Sequence, residues 1–151
     1  MRRGIAIKSA GLWNAGEAID RVVLDADDRQ RRRIVLSGEN GTTFLLDLER
    51  PVSLRNGDGV VLDDGGVVEV RGASEPLIEI SGRSIADMVR VAWHIGNRHA
   101  DLQIAGDRLR IRRDHVLEAM LVQMGASLTP IDAPFDPEAV PQTAGAANHD
   151  D

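Results

Sequence analysis

The chain carries four histidines, His94, His99, His115 and His149, and no cysteine. Without thiols there are no disulfides, no thiolate metal sites and no cysteine nucleophile. A transition metal would have to be held by imidazole nitrogen, carboxylate, backbone or water. Other chemistries lack their parts. There is no Gly-x-Ser-x-Gly elbow, no glycine-rich phosphate loop ending in Lys-Ser or Lys-Thr, and no His-Glu-x-x-His helix; Lys8 is the sole lysine. Each histidine also has a plain reading. His94 shares a polar helical face with Asp87 and Arg90, His99 suits a loop residue bonded to a carbonyl, His115 suits a first helical turn, and His149 an inert tail.

The elements that would position these residues follow from periodicity. The first half reads as β structure, with short apolar runs at 5–7, 21–24, 33–36, 43–46, 60–62 and 67–70. Ser37-Gly38-Glu39-Asn40-Gly41, Arg55-Asn56-Gly57-Asp58-Gly59 and Asp63-Asp64-Gly65-Gly66 separate them with tight-turn chemistry. Residues 1–73 are expected to form a small antiparallel β domain, with Arg71-Gly72-Ala73-Ser74 as the hinge.

The second half changes period. A strand at 77–80 precedes a helix started by Ser84, with Ile85, Met88, Val89, Ala92 and Ile95 expected to face the core. Gly96-Asn97 stops that helix. Leu102-Gln103-Ile104 and Leu109-Arg110-Ile111 form a hairpin across Gly106-Asp107. Asp114 caps a second helix, with Val116, Leu117, Met120, Leu121 and Met124 inward and Gly125 closing it. A last strand at 128–131 contains Pro130, which implies an edge or a strand end. The order strand, helix, strand, strand, helix, strand is the ferredoxin-like βαββαβ pattern, expected over residues 74–135. The composition from Phe135 onward, rich in Pro, Ala, Asp and Gly, predicts a flexible tail, 136–151.

In that topology the first helix ends where the second begins, so His99 and His115 belong at one edge of the domain. The second helix's N-terminus carries partial positive charge and disfavours imidazolium; neutral imidazole is the metal-binding form. Two histidines are too few for a closed site, since a first-row metal takes about four to six ligands. A two-fold axis through that edge would double every ligand. Such an open site suits a carrier, and binding should weaken below about pH 6.5 as protons compete for imidazole.

Composition narrows the partners. Hydrophobic residues make up 42% and aromatics 3%, so the core must be aliphatic and thin, and association with a second copy would help. A net charge of −6 argues against non-specific nucleic-acid binding. The run Arg29-Gln30-Arg31-Arg32-Arg33 follows Asp25, Asp27 and Asp28 and is expected to be a solvated, self-neutralised segment. No apolar run of signal-peptide length or of the ~20 residues of a membrane span occurs, and the expected location is cytoplasmic, with no membrane partner.

The segment Trp93-His94-Ile95-Gly96-Asn97-Arg98-His99, followed by Leu102-Gln103-Ile104, resembles the signature of the urease accessory protein UreE family. Asp114-His115-Val116-Leu117 resembles that family's second-helix start. Leu54-Arg55-Asn56-Gly57-Asp58, Asp63-Asp64-Gly65 and Glu75-Pro76-Leu77 resemble its β-domain and junction segments. The resemblance implies a nickel-binding homodimer that passes Ni2+ toward the urease apoenzyme together with the urease accessory GTPase, and a partner-docking role for residues 1–73. It implies His99 from both subunits as the central ligand, with His115 and His149 as auxiliary ligands. Cu2+ or Zn2+ should bind as well, because imidazole sites do not select nickel intrinsically. Arg113 stands where some members carry a further histidine, and the tail has His149 alone, so about one tight nickel per dimer is expected. Rival readings are a non-catalytic ferredoxin-like regulatory module for another small ligand, and a metal-dependent hydrolase, whose nearest acids, Asp101 and Asp114, lack catalytic spacing.

Overall fold

The computed structural model describes residues 1–138. Six strands build the N-terminal sheet: β1 (Arg2–Lys8), β2 (Asp20–Leu24), β3 (Arg33–Ser37), β4 (Thr43–Asp47), β5 (Gly59–Leu62) and β6 (Val67–Gly72). Each expected run is a strand, and β3–β4 and β5–β6 are antiparallel hairpins. Their turns place Gly41 and Gly65 at φ of +91° and +93°.

The sheet is not purely antiparallel, however. Its order is β2-β6-β5-β1-β4-β3, with β1–β4 and β2–β6 parallel. Alternation reports which face of a strand is buried; it carries nothing about the direction of a partner distant in sequence. The sheet curls into a nearly closed barrel. Edge strand β2 reaches the β3–β4 turn, where the Glu39 amide donates to the Arg21 carbonyl at 2.8 Å. Asp20, at the start of β2, accepts from the amides of Asn40 and Thr42, both at 2.9 Å. Val22, Phe44, Leu46, Val60, Val68 and Val70 fill the interior.

Only Ala73 separates β6 from the next strand. The C-terminal domain runs β7 (Ser74–Ser81), α1 (Ile85–Asn97), β8 (Gln103–Ala105), β9 (Arg108–Arg112), α2 (His115–Gln123) and β10 (Ser127–Pro134). Its sheet has the order β10-β7-β9-β8, and every neighbouring pair is antiparallel. Pro130 sits on β10, an edge strand, where a missing N–H is tolerated. The molecule is thus α+β, with two sheets and two helices among the described residues.

The facing of the helices departs from expectation. Val91 and Ile95 of α1 are buried, with Met88 and Ala92 packed beside them, against Ile78, Ile80, Leu109 and Ile111 of the sheet. Ile85 and Val89 point outward instead, 83% and 62% exposed. Helix α1 has more apolar residues than one face holds, and periodicity alone could not say which stripe meets the sheet. Val116 of α2 is exposed for the same reason, whereas Leu117 and Leu121 are buried.

Two polar expectations also change. Arg29 is buried rather than solvated, and the chain from Phe135 to Glu138 is packed rather than free. Phe135 joins Ala26 and Leu77 in a small apolar cluster that spans the two domains. Charged composition hid the first, and Pro-Asp composition the second; the partners that decide each are distant in sequence, Arg29 and Asp136 being 107 positions apart.

Candidate metal centre

Helix α1 starts as the sequence dictates: the Ser84 hydroxyl accepts the Asp87 amide at 3.1 Å. Its far end carries the central histidine. The Ala100 amide donates to the Ile95 carbonyl at 3.3 Å, and the His99 amide to the Gly96 carbonyl at 3.0 Å. These are the paired bonds of a Schellman helix stop, whose pivot residue must enter the left-handed region. His99 is that pivot, at φ +58°, and among the described residues no other non-glycine has a positive φ.

Helix α2 ends in the same way, and the comparison is informative. There the Ala126 amide donates to the Leu121 carbonyl at 3.1 Å and the Gly125 amide to the Val122 carbonyl at 3.0 Å. The pivot is Gly125, at φ +85°. One domain therefore holds two copies of one backbone motif, one with glycine and one with histidine at the position where glycine fits without strain. Placing a side chain there costs about 1–2 kcal/mol. The cost projects an exposed imidazole from the end of the helix. Backbone strain at a polar, exposed position is a reason to ask what the side chain does there.

His115 is the first residue of α2, directly after its cap, and it is exposed. The Asp114 carboxylate accepts the Leu117 amide at 2.9 Å, and Glu118 reaches back to the Asp114 amide at 2.7 Å. Arg113 pairs with Glu118 at 3.1 Å. Arg113 holds the Glu118 carboxyl below its usual range, against the opposing effect of burial.

The loops bearing the two histidines lie together. Ala100 and Asp101 face Arg113 and Asp114 across a hollow of about 90 Å³. Arg112 ties them, donating to the Asp101 carboxylate at 3.2 Å. His94 sits one turn back on the polar face, its ring edge-on to Trp93 with centroids 4.9 Å apart; Asp87 and Arg90 on that face pair at 3.0 Å. His149 lies outside the described residues.

Among the described residues no three His, Asp or Glu side chains converge to hold a metal. One chain thus offers single exposed imidazoles at one end of a domain, with no preformed cage. The topology expected from the sequence puts both histidines at one edge of the domain, and the loops beside them do meet. Periodicity does not reveal the left-handed backbone at His99; the Gly-Asn-Arg-His-Ala stretch, a helix stop whose glycine lies inside the helix, is the signal for it.

These features define a class: a two-domain α+β protein, a nearly closed β barrel followed by a βαββαβ domain that presents histidine at a helix end. Comparison with known proteins makes the class specific. The description "UreE urease accessory protein, N-terminal domain" matches residues 4–73, and "UreE urease accessory protein, C-terminal domain" matches residues 75–151. The chain belongs to the UreE urease accessory protein family. A urease accessory protein UreE of Rhodopseudomonas palustris strain BisB18 is 54% identical over 91% of this chain and 65% of its own length. The one from Bradyrhizobium sp. strain BTAi1 is 51% identical over 100% of this chain and 74% of its own. That of Beijerinckia indica is 44% identical over 100% and 87%. The chain therefore spans just under two thirds of the Rhodopseudomonas relative.

Proposed function

We propose that the protein is a nickel metallochaperone: it binds Ni2+ as cargo and donates it during assembly of the urease active site, with no reaction of its own. The observation that carries this reading is His99, an exposed imidazole held at a backbone position where glycine would be cheaper. A donor kept at a cost, in a protein without cysteine, fits metal ligation by imidazole.

The reading needs a second copy, because one chain brings too few ligands. Helix α1 supports it. Ile85, Val89 and Trp93, at i, i+4 and i+8, make an outward apolar stripe exposed by 83%, 62% and 63%. The stripe leads toward the helix end that bears His99. Two copies pairing along α1 about a two-fold axis would cover the stripes and bring both His99 side chains to the axis. His115 would lie at the margin of that shared site as an auxiliary ligand, and His149 is the remaining candidate from the tail. Cu2+ and Zn2+ would compete for the same imidazoles. The partners are the urease accessory GTPase and the urease apoenzyme complex, with residues 1–73 as the docking domain; the compartment is the cytoplasm. The domain from residue 74 is read as ferredoxin-like, in line with its strand order.

One observation favours the regulatory-module alternative: an apolar hollow of about 400 Å³ between α1 and the β8–β9 hairpin. Ile85 and Val89 line it, so the same second copy would cover it.

Calorimetric nickel titration of the intact protein and of His99→Ala, with mass by light scattering, tests the proposal. The expected result is about one tight nickel per dimer, weakened about 100-fold or more in His99→Ala while the dimer persists. Equal affinity in both proteins would overturn His99 as the ligand, and no binding by either would favour the regulatory module.

A further inference from the structure

Arg29 is the most deeply buried charged side chain described, at 1% exposure. It belongs to the N-terminal domain, in the short turn Asp28–Gln30 that follows β2. Two of its bonds stay within that domain: Nε donates to the Leu24 carbonyl and Nη1 to the Leu54 carbonyl, both at 3.1 Å. Neither carbonyl neutralises the charge. The rest of the guanidinium fork is filled from the far end of the chain, where Nη2 donates to the Phe135 carbonyl at 2.6 Å and Nη1 pairs with the Asp136 carboxylate.

The same four residues hold on at other points. Arg55 donates to the Pro137 carbonyl at 3.1 Å. The Phe135 ring is wholly buried, with the Arg112 guanidinium 4.9 Å above it. On the C-terminal side, the Asp136 amide donates to Gln103 Oε1 at 3.0 Å. Glu138 closes on the start of β8, its amide donating to the carbonyl of Leu102, just before the strand, at 2.7 Å and its carboxylate accepting the Ile104 amide at 3.2 Å. The segment leaves β10 at one edge of the sheet and ends on β8 at the other, with the barrel beneath it.

We propose that Phe135–Glu138 is a latch: it locks the barrel against the end of the C-terminal sheet and fixes Glu138 close to the loop that bears His99. The remaining cross-domain bonds are few. Ala26 donates to Glu75 at 3.0 Å, and Asp27, 80% exposed, pairs with Arg112 at 3.0 Å. An exposed pair of this kind contributes little, and a single residue, Ala73, links the domains. Relative domain motion is the default for so small an interface. The buried, charge-paired latch is what opposes it, because opening leaves the Arg29 cation desolvated and unpaired. Glu138 is pinned at Leu102, three positions beyond His99, so closure also holds the end of the segment near that histidine. The latch does not depend on the nickel reading.

The absence of cysteine permits a direct test. Val35→Cys on β3 and Val122→Cys on α2, both exposed, take a spin-label pair, diluted with unlabelled protein so that distances within one chain dominate. The parent should give a single narrow interdomain distance. Asp136→Ala and, separately, Arg55→Ala should each lose that peak in favour of a broad distribution while circular dichroism stays unchanged. Arg55 stands outside the barrel interior, so its variant keeps the test open if Asp136→Ala fails to fold. A narrow, unshifted distance in a folded latch variant would overturn the proposal, and so would a broad distance in the parent.

Discussion

His99 pairs a gain with a loss that can be measured separately. Replacing it by glycine removes the left-handed strain and should stabilise the metal-free protein by about 1 kcal/mol after the added chain entropy of glycine. That corresponds to a rise in melting temperature of about 3 °C. The same substitution should abolish tight nickel binding. Thermal unfolding without metal and calorimetry with it give the two readouts; a lower melting temperature would mean that the ring contributes to the fold. Alanine should not show the rise, because its Cβ keeps the strain.

A second residue-scale prediction concerns Asp20. Burial pushes its carboxyl upward, but the amides of Asn40, Thr42 and Arg21 outweigh burial and hold it at about 2, below the ordinary 3.8. A carboxylate whose folded value is depressed stabilises the fold above its unfolded value. Its contribution should therefore be complete above about pH 4 and drain away as pH falls toward 2. Asp20→Asn keeps the shape but loses the charge-assisted bonds, and should cost about 2 kcal/mol at neutral pH. Denaturant unfolding between pH 2 and 7 checks both: the variant should be weaker at pH 7 and flatter below pH 4. Equal stability at pH 7 would remove Asp20 as the clasp of the barrel.

At the scale of elements, much was legible. All ten strands and both helices fall on runs that hydrophobic period and turn residues mark, and both N-caps, Ser84 and Asp114, were readable from residue type. Strand direction was not. The β1–β4 and β2–β6 pairings join segments with no hairpin between them, and no local pattern encodes that. Nor was the facing of α1, since Ile85 and Val89 continue an apolar pattern as well as Val91 does. The outward stripe yields a prediction of its own. If the proposed dimer pairs along α1, Val89→Asp, on a surface remote from the α1 core residues Val91 and Ile95, should leave helix content intact and halve the mass seen by light scattering. An unchanged dimer would move the interface away from α1. For the site, residue type and motif reached His99 and His115, whereas the conformation that sets His99 apart required the backbone.

At the scale of the whole molecule, the sequence hid what joins the two halves. Arg29 reads as one of a run of surface arginines, and Phe135-Asp136-Pro137-Glu138 as the beginning of a tail. Each makes sense only beside the other, and 107 positions separate Arg29 from Asp136. Buried ion pairs formed over such distances leave no periodic trace.

The ends of the four-stranded sheet carry one more consequence. On β10, Pro130 and Pro134 offer no N–H to an incoming strand. On β8, the outward amide of Ile104 and the carbonyl of Leu102 are already taken by Glu138. Each side offers an incoming chain an interrupted ladder, which discourages the open-ended stacking that bare sheet margins invite. In the dimer proposed above, association would run through the helical face, where a two-fold contact closes on itself and growth stops at two.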